Sequence, residues 1–150
     1  MAWVTEVLVE SELSYAIETT TQPTQTELVA FIASIEATCK GILNSLKVDA
    51  ASIDETDTPI CFLIVQQWAL WGVCSRVIAA AGGLVRSRTG KEKDYWDRFT
   101  DTWHSIEEDP NALGSDVPFL TGDSALVSPD GIVDGDDNYR DPAFTWGMEF

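Results

Sequence analysis

The sequence predicts an all-α protein: a small antiparallel bundle of three main helices, near residues 24–47, 58–84 and 91–108, followed by a long extended C-terminal arm. Three observations carry that expectation. One long apolar segment, Thr58 to Val85, is bounded at both ends by helix stop signals. The segments flanking it repeat apolar residues at three- and four-residue spacing, the period of an amphipathic helix. From Asn111 onward the texture changes to proline, glycine and aspartate with short apolar pieces between them, a composition that cannot bury enough surface to fold alone. The expected organisation is a helical domain over residues 1–113 and an acidic segment over 114–150 that ends in an aromatic docking arm.

In chain order, Val7, Leu8, Leu13 and Ile17 permit a short helix, while residues 4–9 alone also read as a strand; the helix is favoured. Pro23 ends that element. Thr24 and Glu27 have the form of a capping box, the threonine hydroxyl taking the backbone N–H three residues on and the glutamate reaching back. Leu28, Phe31, Ile32, Ile35, Cys39, Ile42, Leu43 and Leu46 then share one face through to about Lys47. An acidic connection, Asp49 to Asp57, joins this helix to the apolar one, and so short a link favours an antiparallel pair.

The apolar helix opens on Thr58 as N-cap with Pro59 at its first position, and Gly82-Gly83 can supply the left-handed residue that closes it. Gln66, Gln67, Ser75 and Arg76 point in four directions and leave no continuous wet face. Such a helix needs cover on most sides, and two further helices are too few to wrap it. Neighbouring copies are therefore expected to supply part of the cover, with Trp68, Trp71 and Arg76 as the packing residues between copies. A membrane span is the rival reading, since the length passes the threshold of about 20 residues. Gln66, Gln67 and Arg76 within the window, and Asp54, Glu55 and Asp57 on the flank, oppose it.

Beyond Val85, Arg86, Arg88, Lys91 and Lys93 form a basic patch. It reads first as cations near a helix C-terminus, and second as a contact for an acidic partner or for DNA. A third helix, about Lys91 to Glu108, carries Tyr95, Phe99, Trp103 and Ile106 on one stripe and Asp94, Asp97, Asp101 and Glu107 mostly opposite; Asp109-Pro110 ends it. From Asn111 onward lie three of the six prolines and five of the ten glycines. The final stretch, Pro142 to Phe150, alternates Phe144, Trp146, Met148 and Phe150 with the period of a strand, and such large apolar groups at an exposed terminus call for a receiving surface.

The net charge is -16, and from Asp101 onward 12 acidic residues stand against one basic residue. That balance works against gripping a phosphate backbone, where affinity comes from lysine and arginine displacing counterions. It suits solubility or a wall that DNA passes without sticking. Cys39, Cys61 and Cys74 are odd in number and set in apolar helical contexts, which argues against a disulfide framework, and the first residues lack an export signal; synthesis in a reducing cytoplasm is expected.

Fragments that look catalytic fail in context. Gly122-Asp123-Ser124-Ala125-Leu126 has the form of a serine-nucleophile block and Asp101 to His104 the spacing of its partner. Their order is reversed, and no strand and helix alternation supports a sheet to hold them. His104 is the lone histidine, and Cys61 and Cys74 lie on different sides of one helix, so they cannot share a zinc ion. Asp130, Asp134, Asp136, Asp137, Asn138 and Asp141 lack the glycine and terminal glutamate of an EF-hand loop. No enzyme, metal or cofactor is expected.

The sequence TTTQPTQTELVAFIASIEATCKGIL, the acidic link, TPICFLIVQQWALWGVCSRVI and then KDYWDRFTDTWHSIEEDPNAL resemble the head-to-tail connector adaptor proteins of tailed double-stranded DNA phages. The shared features are a Pro-Thr-x-x-Glu-Leu helix start, a long apolar helix opened by Thr-Pro, and a third helix with large apolar residues at the positions of Tyr95, Phe99 or Trp103, and Ile106. The closing Pro142, Phe144 and Phe150 also resemble the family's C-terminal arms. The acidic insertion from Gly114 to Asp141 and the weak first helix depart from the pattern. The resemblance implies a homo-oligomeric ring, commonly of twelve copies, in the virion neck, assembled in the host cytoplasm. Such a ring sits between the portal protein and a tail-side connector or terminator and passes DNA through its channel without sequence-specific binding. It also implies that the arm, Pro142, Phe144, Trp146, Met148 and Phe150, docks on the portal. The alternative is a small acidic helical binding protein or inhibitor of the DNA-mimic type.

Overall fold

In a computed structural model of the chain, residues 2–81 and 89–120 are described, and over them the protein is all-α. Four helices follow in order: α1 (Glu6–Leu13), α2 (Gln25–Ser45), α3 (Pro59–Ala80) and α4 (Thr89–Glu108). Two short 3-10 turns, Ala50–Ser52 and Pro110–Leu113, follow α2 and α4. The helical unit runs to Pro118, five residues beyond the boundary expected at 113, because residues 114–118 lie against the start of α3.

The capping box of α2 forms: the Thr24 hydroxyl accepts the Glu27 N–H, and the Glu27 carboxylate accepts the Thr24 N–H at 2.7 Å. The helix ends at Ser45, two residues before the expected Lys47, with no glycine to mark the place. Lys47 itself takes the left-handed conformation, φ 64°. The Lys47 N–H donates to the Asn44 carbonyl at 3.1 Å and the Val48 N–H to the Leu43 carbonyl at 3.0 Å. These are the two bonds of a Schellman closure, made here around a residue that pays a left-handed penalty glycine would not.

Helix α3 begins as expected, with Thr58 at the cap position and Pro59 in the first turn, but the Thr58 side chain makes no capping bond. Its hydroxyl turns back to Asp54, accepting that residue's N–H at 2.9 Å and donating to its carbonyl at 3.0 Å. The helix ends at Ala80 and not near residue 84; Gly82 and Gly83 lie outside the described residues. Helix α4 starts at Thr89, two residues before the expected position.

The expectation was that two further helices are too few to wrap α3, so that neighbouring copies supply part of its cover. The structure surrounds it with α1, α2, α4 and the second 3-10 turn of its own chain. Between Trp68 and Val77, only Trp71 and Arg76 keep appreciable exposure. The N-terminal stretch contributes more than the short helix expected of it: Trp3, Val4 and Val9 are buried and extend the core. What stays open on α3 is its first part, where Ile60 and Leu63 are 49% and 62% exposed. The helix is long and apolar enough to cross a bilayer, with a mean hydropathy of 1.4, and 61% of that window is buried inside the protein.

Gly72 decides how close the helices come. A Cβ built there would sit 2.9 Å from the Phe99 ring and 3.0 Å from the Ile35 side chain, so α2, α3 and α4 meet where α3 has no side chain. Phe99 has no room to yield. Its ring stacks on Trp68 at 5.5 Å and on Trp96 at 5.4 Å, and meets Trp103 edge-on at 6.4 Å. Gly41, exposed on α2, has nothing within 4 Å of an added Cβ. The same substitution at the two glycines therefore has opposite signs. Gly41→Ala raises unfolding free energy by up to about 1 kcal/mol through helix propensity. Gly72→Ala gains the same propensity but overpacks the crossing, for a net loss of roughly 1–2 kcal/mol, read from urea unfolding midpoints.

Candidate functional site

The residues expected to contact partners are placed as follows. Trp68 was expected between copies, but it is fully buried in the chain's own core, its indole N–H donating to the Phe99 carbonyl at 3.0 Å. It has no surface left to offer. Trp71 is half-buried beneath the Arg98 guanidinium, 5.9 Å from the ring centre. Arg76 is exposed and donates to the Ser34 hydroxyl at 3.1 Å. Lys91 lies in the first turn of α4 and Lys93 is exposed on that helix, while Arg86 and Arg88 fall outside the described residues. So do the docking arm, Pro142, Phe144, Trp146, Met148 and Phe150, the Gly122 to Leu126 block and the aspartate run from Asp130.

Two carboxylates that the sequence did not single out organise the ends of the helical unit. On α2, Glu36 is 7% exposed, and its Oε1 accepts the N–H groups of both Trp3, at 2.6 Å, and Val4, at 2.8 Å. Lys40, one turn on, lies 3.6 Å from the other oxygen and over the Trp3 ring at 4.8 Å. Gln66 of α3 closes the clamp by donating to the Trp3 carbonyl at 2.7 Å. The second carboxylate is Asp116, which accepts the Ile60 N–H at 2.8 Å and the Cys61 N–H at 2.9 Å. It supplies the cap expected of Thr58, from 56 residues further along the chain. A negative charge there also meets the positive end of the α3 dipole.

The three cysteines are free and buried. Burial pushes the Cys61 thiol up to about 11, with Asp116 adding to it. Burial, then Glu12, raises Cys74 to about 12; burial, then Glu36, raises Cys39 further. At neutral pH these groups are thiols, and the thiolate is the form that attacks or binds metal. His104 is 70% exposed, with Nδ1 3.6 Å from Glu107. Among the described residues no cluster of three histidine, cysteine or acidic side chains is placed to hold a metal ion.

Two concavities stand out among the described residues. One, of about 330 Å³, is lined by Trp3, Lys40, Asn44, Asp49, Ala50, Ala51 and Ile53. The other, of about 310 Å³, lies between α3 and α4 and is lined by Ile64, Asp101, Thr102, Ser105, Ile106 and Ala112. The outer side of α4 presents Asp94, Asp97, Asp101, Glu107 and Glu108 to solvent, all exposed. Comparison with family models, with curated proteins and with solved structures finds no match to this chain.

Removing Glu36 leaves two buried N–H groups without an acceptor, each costing about 1–3 kcal/mol. Glu36→Ala therefore destabilises by roughly 2–5 kcal/mol in urea unfolding. Glu36→Gln, which keeps one acceptor oxygen, loses clearly less. The Tyr95 hydroxyl donates to Glu12 at 3.0 Å, tying α4 to α1. Burial first, and then that bond, raises its pKa from the usual 10 to about 12. The raised value means that the tie stabilises the fold fully below about pH 10 and is lost as pH rises toward about 12. An absorbance titration is expected to show a phenol ionising near pH 12 that Tyr95→Phe removes.

Proposed function

We propose that the protein is a structural adaptor of the phage neck: a small antiparallel helical bundle with an extended C-terminal arm, assembled as a ring between the portal protein and a tail-side connector. The observation that carries this reading is the position of the landmarks on which the family resemblance rests. The Thr24 and Glu27 box opens α2, Thr58-Pro59 opens α3, and α4 turns Phe99 and Ile106 into the core with Tyr95 and Trp103 packed beside them. The landmarks stand at helix starts and core positions, as this reading calls for, although at α3 the capping bonds come from Asp116 and not from Thr58. A second support is charge: acidic side chains on the outer side of α4 repel a DNA backbone, as a channel wall must. The arm, Pro142 to Phe150, is the portal anchor in this reading, and the exposed Ile60 and Leu63 remain for contact with a neighbouring copy.

The same acidic face favours a second reading, a helical inhibitor that mimics DNA. The two separate on one experiment. Deleting residues 141–150 leaves circular dichroism and thermal unfolding of the helical unit unchanged, and abolishes co-sedimentation with purified portal rings. Unchanged binding by the truncated protein overturns the anchor role. A full-length protein that ignores portal rings but titrates a DNA-binding protein off its DNA supports the inhibitor.

A further inference from the structure

Leu113 is fully buried, and the chain changes character immediately after it. Gly114 has φ +116°, and a Cβ there would lie 2.7 Å from Ile60 Cγ2, so glycine alone allows both the turn and the close approach. Ser115 is exposed, and Asp116, Val117 and Pro118 are half-buried. What holds this segment down is mostly polar: the two N–H bonds from Ile60 and Cys61 to Asp116, and the Asp49 N–H to the Pro118 carbonyl at 2.7 Å. Val117 adds a partly buried apolar contact. Cys61, whose N–H is one of the two that Asp116 holds, is 0% exposed. Segments with few buried apolar contacts open at lower free energy than the helices they lie on.

We propose that residues 114–118 form a latch, hinged at Gly114 and bolted by Asp116, which opens as one piece while the helices stay folded and so uncovers the first turn of α3 and Cys61. The chain beyond residue 118 continues directly from this latch. The inference concerns residues 110–118 and α3, and stands apart from the adaptor reading.

The test is the rate at which each cysteine of the full chain reacts with a maleimide under native conditions, assigned by peptide mass spectrometry. In the wild type, Cys61 is expected to label faster than Cys39 and Cys74, because it is reached by local opening and they are not. Asp116→Ala raises the Cys61 rate at least about tenfold, the equivalent of losing charge-assisted hydrogen bonds, and leaves the other two unchanged. Asp116→Asn falls between. The latch is overturned if Cys61 is unmoved by Asp116→Ala, or if all three cysteines accelerate together. Should the alanine variant fail to fold, the wild-type comparison decides alone: a common rate for the three cysteines overturns the proposal.

Discussion

A helix without a wet face must be covered on every side, and the rest of this protein is arranged to do that for α3. Glycine at position 72 lets α2 and α4 approach the helix together, with Ile35 and Phe99 closing over the gap. Trp68 then fills the space beside Phe99, its one polar atom satisfied by a carbonyl of α4. A large buried aromatic side chain contributes about 1.5–3 kcal/mol on transfer alone. With Trp68, Phe99 and Ile35 all meeting at the crossing, their summed contribution exceeds any single hydrogen bond elsewhere in the unit. The crossing also uses up the tryptophan that looked free to meet another copy.

Cover of that kind leaves the chain ends to be secured by other means, and carboxylates do it. Glu36 holds Trp3 and Val4 ahead of α1, Glu10 accepts the Ile17 N–H at 2.8 Å, and Asp116 holds residues 114–118 against α3. Asp49, Asp54 and Asp109 accept N–H groups within their own turns. Part of the acidity of this protein is thus structural: carboxylates stand where backbone donors would otherwise lack partners, and each such bond is stronger than a neutral one. The exposed acidic groups on the outer side of α4 shape the field around that face.

These two facts together constrain function. Among the described residues, the unit closes its own core and leaves exposed a charged outer face on α4, surface concavities and a few apolar residues at the start of α3. The closing aromatic residues of the sequence, Phe144, Trp146 and Phe150, lie beyond that unit. The proposed ring role assigns shape to the first stretch and docking to the second.

The all-α class, the start of each long helix and the aromatic stripe of α4 were legible from residue order, because caps, proline positions and helical period act within a few residues of one another. The end of α2 was not, since a lysine takes the left-handed position that glycine usually signals. The roles of Glu36, Gly72 and Asp116 were equally hidden. Each depends on a partner brought close only by folding: Trp3 and Val4 for Glu36, Phe99 for Gly72, Ile60 and Cys61 for Asp116. Whether α3 would be sheltered by its own chain was likewise a matter of tertiary arrangement. Periodicity records which side of a helix is apolar, whereas the identity of what covers that side is set by how distant segments fit in three dimensions.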